Sequence, residues 1–103
     1  MPALTPVVWS AQALADVQEI HDYIARTSPR YAALVADRLV GAVERLRDFP
    51  ESGRVVPELG DQAVREVIHG AYRIVYELRA GRAEVLTVFP GSRAFPPDVR
   101  PAG

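Results

Sequence analysis

The sequence predicts an α+β fold in the order β-α-α-β-β-β, a helical hairpin packed on a small, mainly antiparallel sheet. Three observations predict it. Two stretches carry apolar residues at spacings of three and four, and a Ser-Pro pair separates them. Three β-rich runs follow, joined by two short glycine-containing turns. A short β-branched run precedes the first helical stretch.

Val7-Val8-Trp9 is the opening strand, with Trp9 expected as a lid on the helical core. Ser10 follows as an N-cap, because its hydroxyl can accept a hydrogen bond from a free first-turn amide. Ala13, Val17, Ile20 and Ile24 then form one apolar helix face, while Asp16, Glu19, Asp22 and Arg26 fall off it and are expected to face water. Thr27-Ser28-Pro29 breaks the pattern, and Ser28 with Pro29 reads as N-cap and first residue of a second helix. Its stripe is Ala32, Val35, Leu39, Ala42, Leu46 and Phe49, ended by Pro50, and so short a turn implies an antiparallel hairpin.

Residues 51–60 read as a crossing loop, because Pro50, Gly53, Pro57 and Gly60 punctuate them. Three strands follow, Val64 to His69, Tyr72 to Leu78 and Ala83 to Phe89, with Gly70-Ala71 and Ala80-Gly81-Arg82 closing two hairpins. In the middle strand Tyr72, Ile74, Tyr76 and Leu78 alternate with Arg73, Val75, Glu77 and Arg79. One apolar and one mixed face suit a sheet that helices cover on one side. The expected domain is 1–103, with 94–103 a proline-rich tail that carries Pro96, Pro97 and Pro101.

Composition narrows the function classes. The chain has 103 residues, 49% of them hydrophobic and 24% charged, which suits one globular domain. Cysteine is absent, so disulfides, thiolate metal sites and a cysteine nucleophile are excluded together. The start lacks a signal-peptide pattern and no apolar run approaches the ~20 residues of a spanning helix, so the expected location is cytoplasmic, without membrane contact. Twelve basic residues, all arginine, face thirteen acidic ones for a formal net charge of -1. A protein that works on polyanions by electrostatics shows a basic excess, so nucleic acid is not expected as the main ligand.

Ala13-Leu14-Ala15-Asp16 through Ile20-His21-Asp22-Tyr23-Ile24-Ala25, then Ser28-Pro29, look like the first helix and turn of type II toxins of the RelE/ParE superfamily, in its ParE-like branch. Leu46-Arg47-Asp48-Phe49-Pro50-Glu51-Ser52-Gly53-Arg54 with Val55-Val56-Pro57-Glu58-Leu59 is similar to their helix-to-sheet junction. Arg65-Glu66-Val67-Ile68 and Tyr72-Arg73-Ile74-Val75-Tyr76 resemble their central hairpin. The resemblance implies a growth-arresting toxin neutralised by a cognate antitoxin, touching operator DNA only indirectly through that antitoxin. ParE-like members poison DNA gyrase, whereas RelE-like members cut mRNA on the ribosome.

The candidate residues favour binding. An mRNA nuclease needs a cation on the scissile phosphate and a base or acid near the 2′-hydroxyl. Arg73 occupies a place where both branches often carry arginine, and His69 is the only histidine near a strand end that could assist it. RelE-like sites tend to end in His or Tyr on the last strand and tail. Here Val88-Phe89-Pro90-Gly91-Ser92-Arg93 offers only Arg93, which cannot give up its proton. Pro90 stands where ParE-like members often show His. His21 lies off the first helix's stripe and is expected to be solvated, and neither histidine has carboxylates at metal-ligand spacing. No cofactor, metal or catalytic residue is therefore expected.

Arg54, Arg65, Arg73 and Arg93 form the candidate surface for antitoxin or target, since arginine anchors are enriched at interface hot spots. Their alternative is pairing with Glu58, Glu66, Glu77 or Glu84 on an exposed sheet face. The leading expectation is a gyrase inhibitor that acts by binding. A RelE-like mRNA endonuclease using Arg73 and His69, and a non-toxic antitoxin-binding homologue, are the alternatives.

Overall fold

The computed structural model describes residues 3–99. In chain order the elements are β1 (Val7–Trp9), α1 (Ala11–Ala25), α2 (Pro29–Glu44), a 3₁₀ turn (Arg45–Arg47), β2 (Arg54–Val55), β3 (Val64–His69), β4 (Tyr72–Arg79) and β5 (Arg82–Pro90). The two helices pack on a five-stranded mixed sheet of order β1-β5-β4-β3-β2. Only the β1–β5 pairing is parallel. The expected α+β architecture holds, with one extra strand inside the crossing loop: β2 pairs Arg54 with Glu66 and Val55 with Arg65.

Both helices start where the caps place them. Ser10 accepts from the Ala13 amide, and Ser28 accepts from the Tyr31 amide with Pro29 in the first turn. Each hydroxyl satisfies one of the amides that a helix start leaves unpaired. The α2 stripe departs from expectation at its end. Ala32, Val35, Leu39 and Leu46 are buried and Val43 joins them, but Phe49 is 61% exposed. The α-helix stops at Glu44, and a single tighter turn rotates the residues after it off the 3.6-residue face.

The inner face of the sheet, under the helices, buries Ala13, Val35, Leu39, Val43, Ile74, Val85 and Val88, with Trp9 packed against them as expected. Leu46, Tyr76 and Ala83 extend this layer. The outer face differs from expectation. It carries a second core of Val56, Val64, Val75 and Phe89, covered by Leu59, Leu86 and the tail residues Phe95 and Val99. Phe95 meets Phe89 edge to face, ring centroids 5.7 Å apart. The tail is therefore packed as far as Val99, while Pro101 lies outside the described residues.

Two turns and one bulge set the register. Ala80 and Gly81 both have positive φ, 56° and 72°, the backbone of a two-residue hairpin turn that matches strand twist. Val75 pairs with Thr87 but Tyr76 pairs with Val85, so Leu86 is an extra residue in β5. Beyond that bulge β1 has ended, and the β5 edge would be bare. Asp16 of α1 covers it: its Oδ2 accepts the Val88 amide at 3.0 Å and the Thr87 hydroxyl. The expectation that Asp16 faces water is thus corrected, because an unpaired strand edge beside the helix gives its carboxylate two donors.

Candidate functional site

The helix-to-sheet junction is built around Tyr76, which is fully buried. Its hydroxyl donates to the Pro50 carbonyl at 2.7 Å and accepts the Gly53 amide at 3.0 Å. Burial pushes the phenol pKa up. Gly53 is required there by close approach: a Cβ would sit 2.7 Å from both the Glu66 carbonyl oxygen and the Tyr76 hydroxyl. This clamp aims the chain into β2 and so places Arg54 opposite Glu66.

Glu66 is the centre of the charged network. Its carboxylate is fully buried, and it accepts Nε of Arg54 at 2.8 Å and Nε of Arg73 at 2.6 Å. Arg73 turns its other two nitrogens to Glu58, with Nη1 and Nη2 each 2.8 Å from a carboxylate oxygen. The guanidinium also lies over the rings of Phe89, at 5.2 Å, and Phe95, at 5.4 Å. Arg73 holds the Glu58 carboxyl down to about 2, and the two carboxylates raise the Arg73 pKa above its ordinary value. Such a pair is fork-shaped, charge-assisted and largely desolvated at Arg73.

The four candidate arginines do not form one patch. Arg54 and Arg73 share Glu66 on the outer face. Arg65 pairs with Tyr76 across the strands and so points to the inner face; its Nη1 donates to the Gly53 carbonyl, and its buried Nε has no partner among the described residues. The expectation that Arg65 and Arg73 belong to one surface is corrected by the register, which sets Arg73 opposite Ile68, three positions on from Arg65 and on the other face. Arg93 is exposed in the tail, beside a groove lined by Asp16, Glu19 and Phe95. Pairing with Glu58 and Glu66, the alternative that the sequence allows, accounts for Arg54 and Arg73.

His69 lines an open cleft of about 910 Å³ between the end of α2 and the outer edge of β3, with Arg45, Phe49, Arg54 and Ile68. Since β2 stops opposite Arg65 and Glu66, the β3 edge beyond it pairs with no further strand among the described residues. His69 pairs with Tyr72 and faces away from Arg73, so the two nuclease candidates do not converge. His21 contacts Asp22 at 3.1 Å on the surface of α1. Among the described residues no group of three or more His, Cys, Asp or Glu is placed to hold a metal ion, and no helix is long and apolar enough to cross a membrane. Sequence reasoning missed Phe95 and Asp16 as contacts, since neither belongs to a periodic pattern.

Comparison with known proteins bears on this geometry. Residues 7–95 match the model of the ParE toxin of the type II toxin-antitoxin system parDE. Toxin RelE2 of Caulobacter vibrioides is 35% identical over 91 residues, covering 87% of this chain and 99% of that protein. Among solved structures, the chromosomal ParDE toxin-antitoxin system of P. aeruginosa superposes with a TM-score of 0.70 at 19% identity, over 84% of this chain and 96% of that one. A chain of the RelBE2 toxin-antitoxin complex of Mycobacterium tuberculosis gives 0.58 at 18% identity, over 84% and 98%.

Proposed function

The chain belongs to the ParE toxin family of type II toxin-antitoxin systems, and from that premise we propose that it arrests growth in the cytoplasm by binding DNA gyrase and is neutralised by a cognate antitoxin. One observation supports binding over RNA cleavage. Arg73, the cation a nuclease site would need, is bonded to two carboxylates and flanked by two aromatic rings. A guanidinium so engaged has little left for a scissile phosphate, the two carboxylates beside it are held as its ion-pair partners, and His69 faces away from it. The net charge of -1 points the same way. The antitoxin partner is supported by the two structural neighbours, both drawn from toxin-antitoxin systems.

The second reading is a RelE-like mRNA endonuclease. It draws on the relative named toxin RelE2 and on the cleft that gathers His69, Arg45 and Arg54. The purified chain is to be tested in parallel against gyrase with plasmid DNA and against translating ribosomes. Loss of supercoiling with accumulation of cleaved plasmid, and intact mRNA, is the expected result. Cut mRNA with unimpaired gyrase would overturn the proposal, and no effect in either assay would mean a non-toxic homologue. The partner assignment fails if the chain has no affinity for the product of the adjacent reading frame.

A further inference from the structure

Among the described residues, the last backbone hydrogen bond that ties the C-terminal segment to the sheet runs from the Gly91 amide to the Ala71 carbonyl, at 2.7 Å. Beyond it, the hydrogen bonds described are local: the Arg93 amide to the Pro90 carbonyl and the Val99 amide to the Pro96 carbonyl. Pro96 and Pro97 have no amide to offer a strand. Residues 92–99 are therefore held on the outer face by side chains, with Phe95 set against Phe89 and Arg73, and Val99 on the same apolar cluster. Phe95 and Val99 are both only partly buried.

The surface they cover is different in kind. Val56, Val64, Val75 and Phe89 are buried and sit on strands or beside them, fixed by the sheet ladder. Arg73 keeps its place through Glu58 and Glu66, neither of which belongs to the tail. The outer face is thus formed independently of its cover, and the cover has few ties.

We propose that residues 92–99 form a releasable strap, latched by Phe95 against Arg73 and Phe89, which opens without unfolding the helix-and-sheet body and controls access to the outer face of the sheet. Segments with few buried contacts and no ladder hydrogen bonds open locally at a fraction of the cost of global unfolding. The closed form is favoured because it keeps the outer core from water.

The absence of cysteine makes the test direct. A thiol placed by Val75→Cys lies in the outer core, and one placed by Val43→Cys lies in the inner core. Labelling by an Ellman-type reagent in native buffer reads how often each is exposed. The Val75→Cys thiol is expected to react at least about tenfold faster than the Val43→Cys thiol, with little dependence on low urea. Adding Phe95→Ala is expected to speed the first about tenfold and leave the second unchanged, while Phe95→Leu restores most of the protection. Equal rates with equal urea dependence at both sites would show that the strap leaves only on global unfolding. A fast Val75→Cys rate that ignores Phe95 would assign the opening to another segment. Either result overturns the proposal.

Discussion

Arg73→Ala separates a structural arginine from a catalytic one. The substitution removes three hydrogen bonds, two to Glu58 and one to Glu66. It leaves the Glu66 carboxylate, fully buried, with Arg54 alone. Breaking a buried pair by deleting one partner costs about 3–5 kcal/mol, because the remaining charge stays desolvated. The Glu58 half adds little, since that carboxylate is 41% exposed and screened by water. Against a total stability of about 5–15 kcal/mol, the loss is large. Urea unfolding, followed by far-ultraviolet circular dichroism, is expected to show a midpoint lower by about 2 M at unchanged slope. A second variant makes a sharper demand. Arg73→Met combined with Glu66→Leu removes both charges and fills the space with apolar atoms, so it should be more stable than Arg73→Ala by at least about 1 kcal/mol. A loss below about 0.5 kcal/mol for Arg73→Ala, the range of an ordinary surface change, would refute the structural role and reopen Arg73 as a free cation.

Glu58 is expected to give a pH signature. Its folded pKa is depressed from 4.5 to about 2, so the stabilisation is fully present above pH 4.5 and is lost as pH falls from there through about 2. Glu58→Gln should remove roughly 1 kcal/mol at neutral pH, discounted for exposure, and should flatten stability over that acid window in a pH series of thermal melts. Gly53→Ala places a methyl 2.7 Å from the Glu66 carbonyl oxygen and 2.8 Å from the Tyr76 ring, so the junction must shift. A loss of about 1–3 kcal/mol, read as a melting temperature lower by at least about 4 °C, is expected. Asp16→Ala strips the Val88 amide and the Thr87 hydroxyl of their acceptor. It should cost about 1–3 kcal/mol and speed hydrogen exchange at the Val88 amide, whereas Glu19→Ala, on the exposed face, should change neither.

The elements and their order were legible in the chain because they rest on local rules. Ser10, Ser28 and Pro29 mark helix starts, spacings of three and four mark buried helix faces, and Val64 to His69 was bounded by its turn residues. The family was legible for a related reason: the stretches that resemble it follow one another in order from Ala13 to Tyr76, inside the residues 7–95 that match the family. What the chain alone could not say is which residues separated in sequence meet. The bulge at Leu86, read only from paired strands, sets which β5 side chains face the helices and which the outer core. Register put Arg65 and Arg73 on opposite faces, although both had looked like members of one arginine patch. The tail joined the outer core through Phe95 and Val99, which no period marks. Hydrogen-bond caps and helix periodicity act over a few residues, so composition and spacing carry them. Pairing of Glu66 with Arg54 and Arg73 depends on three strands lying side by side, and only the folded sheet decides that.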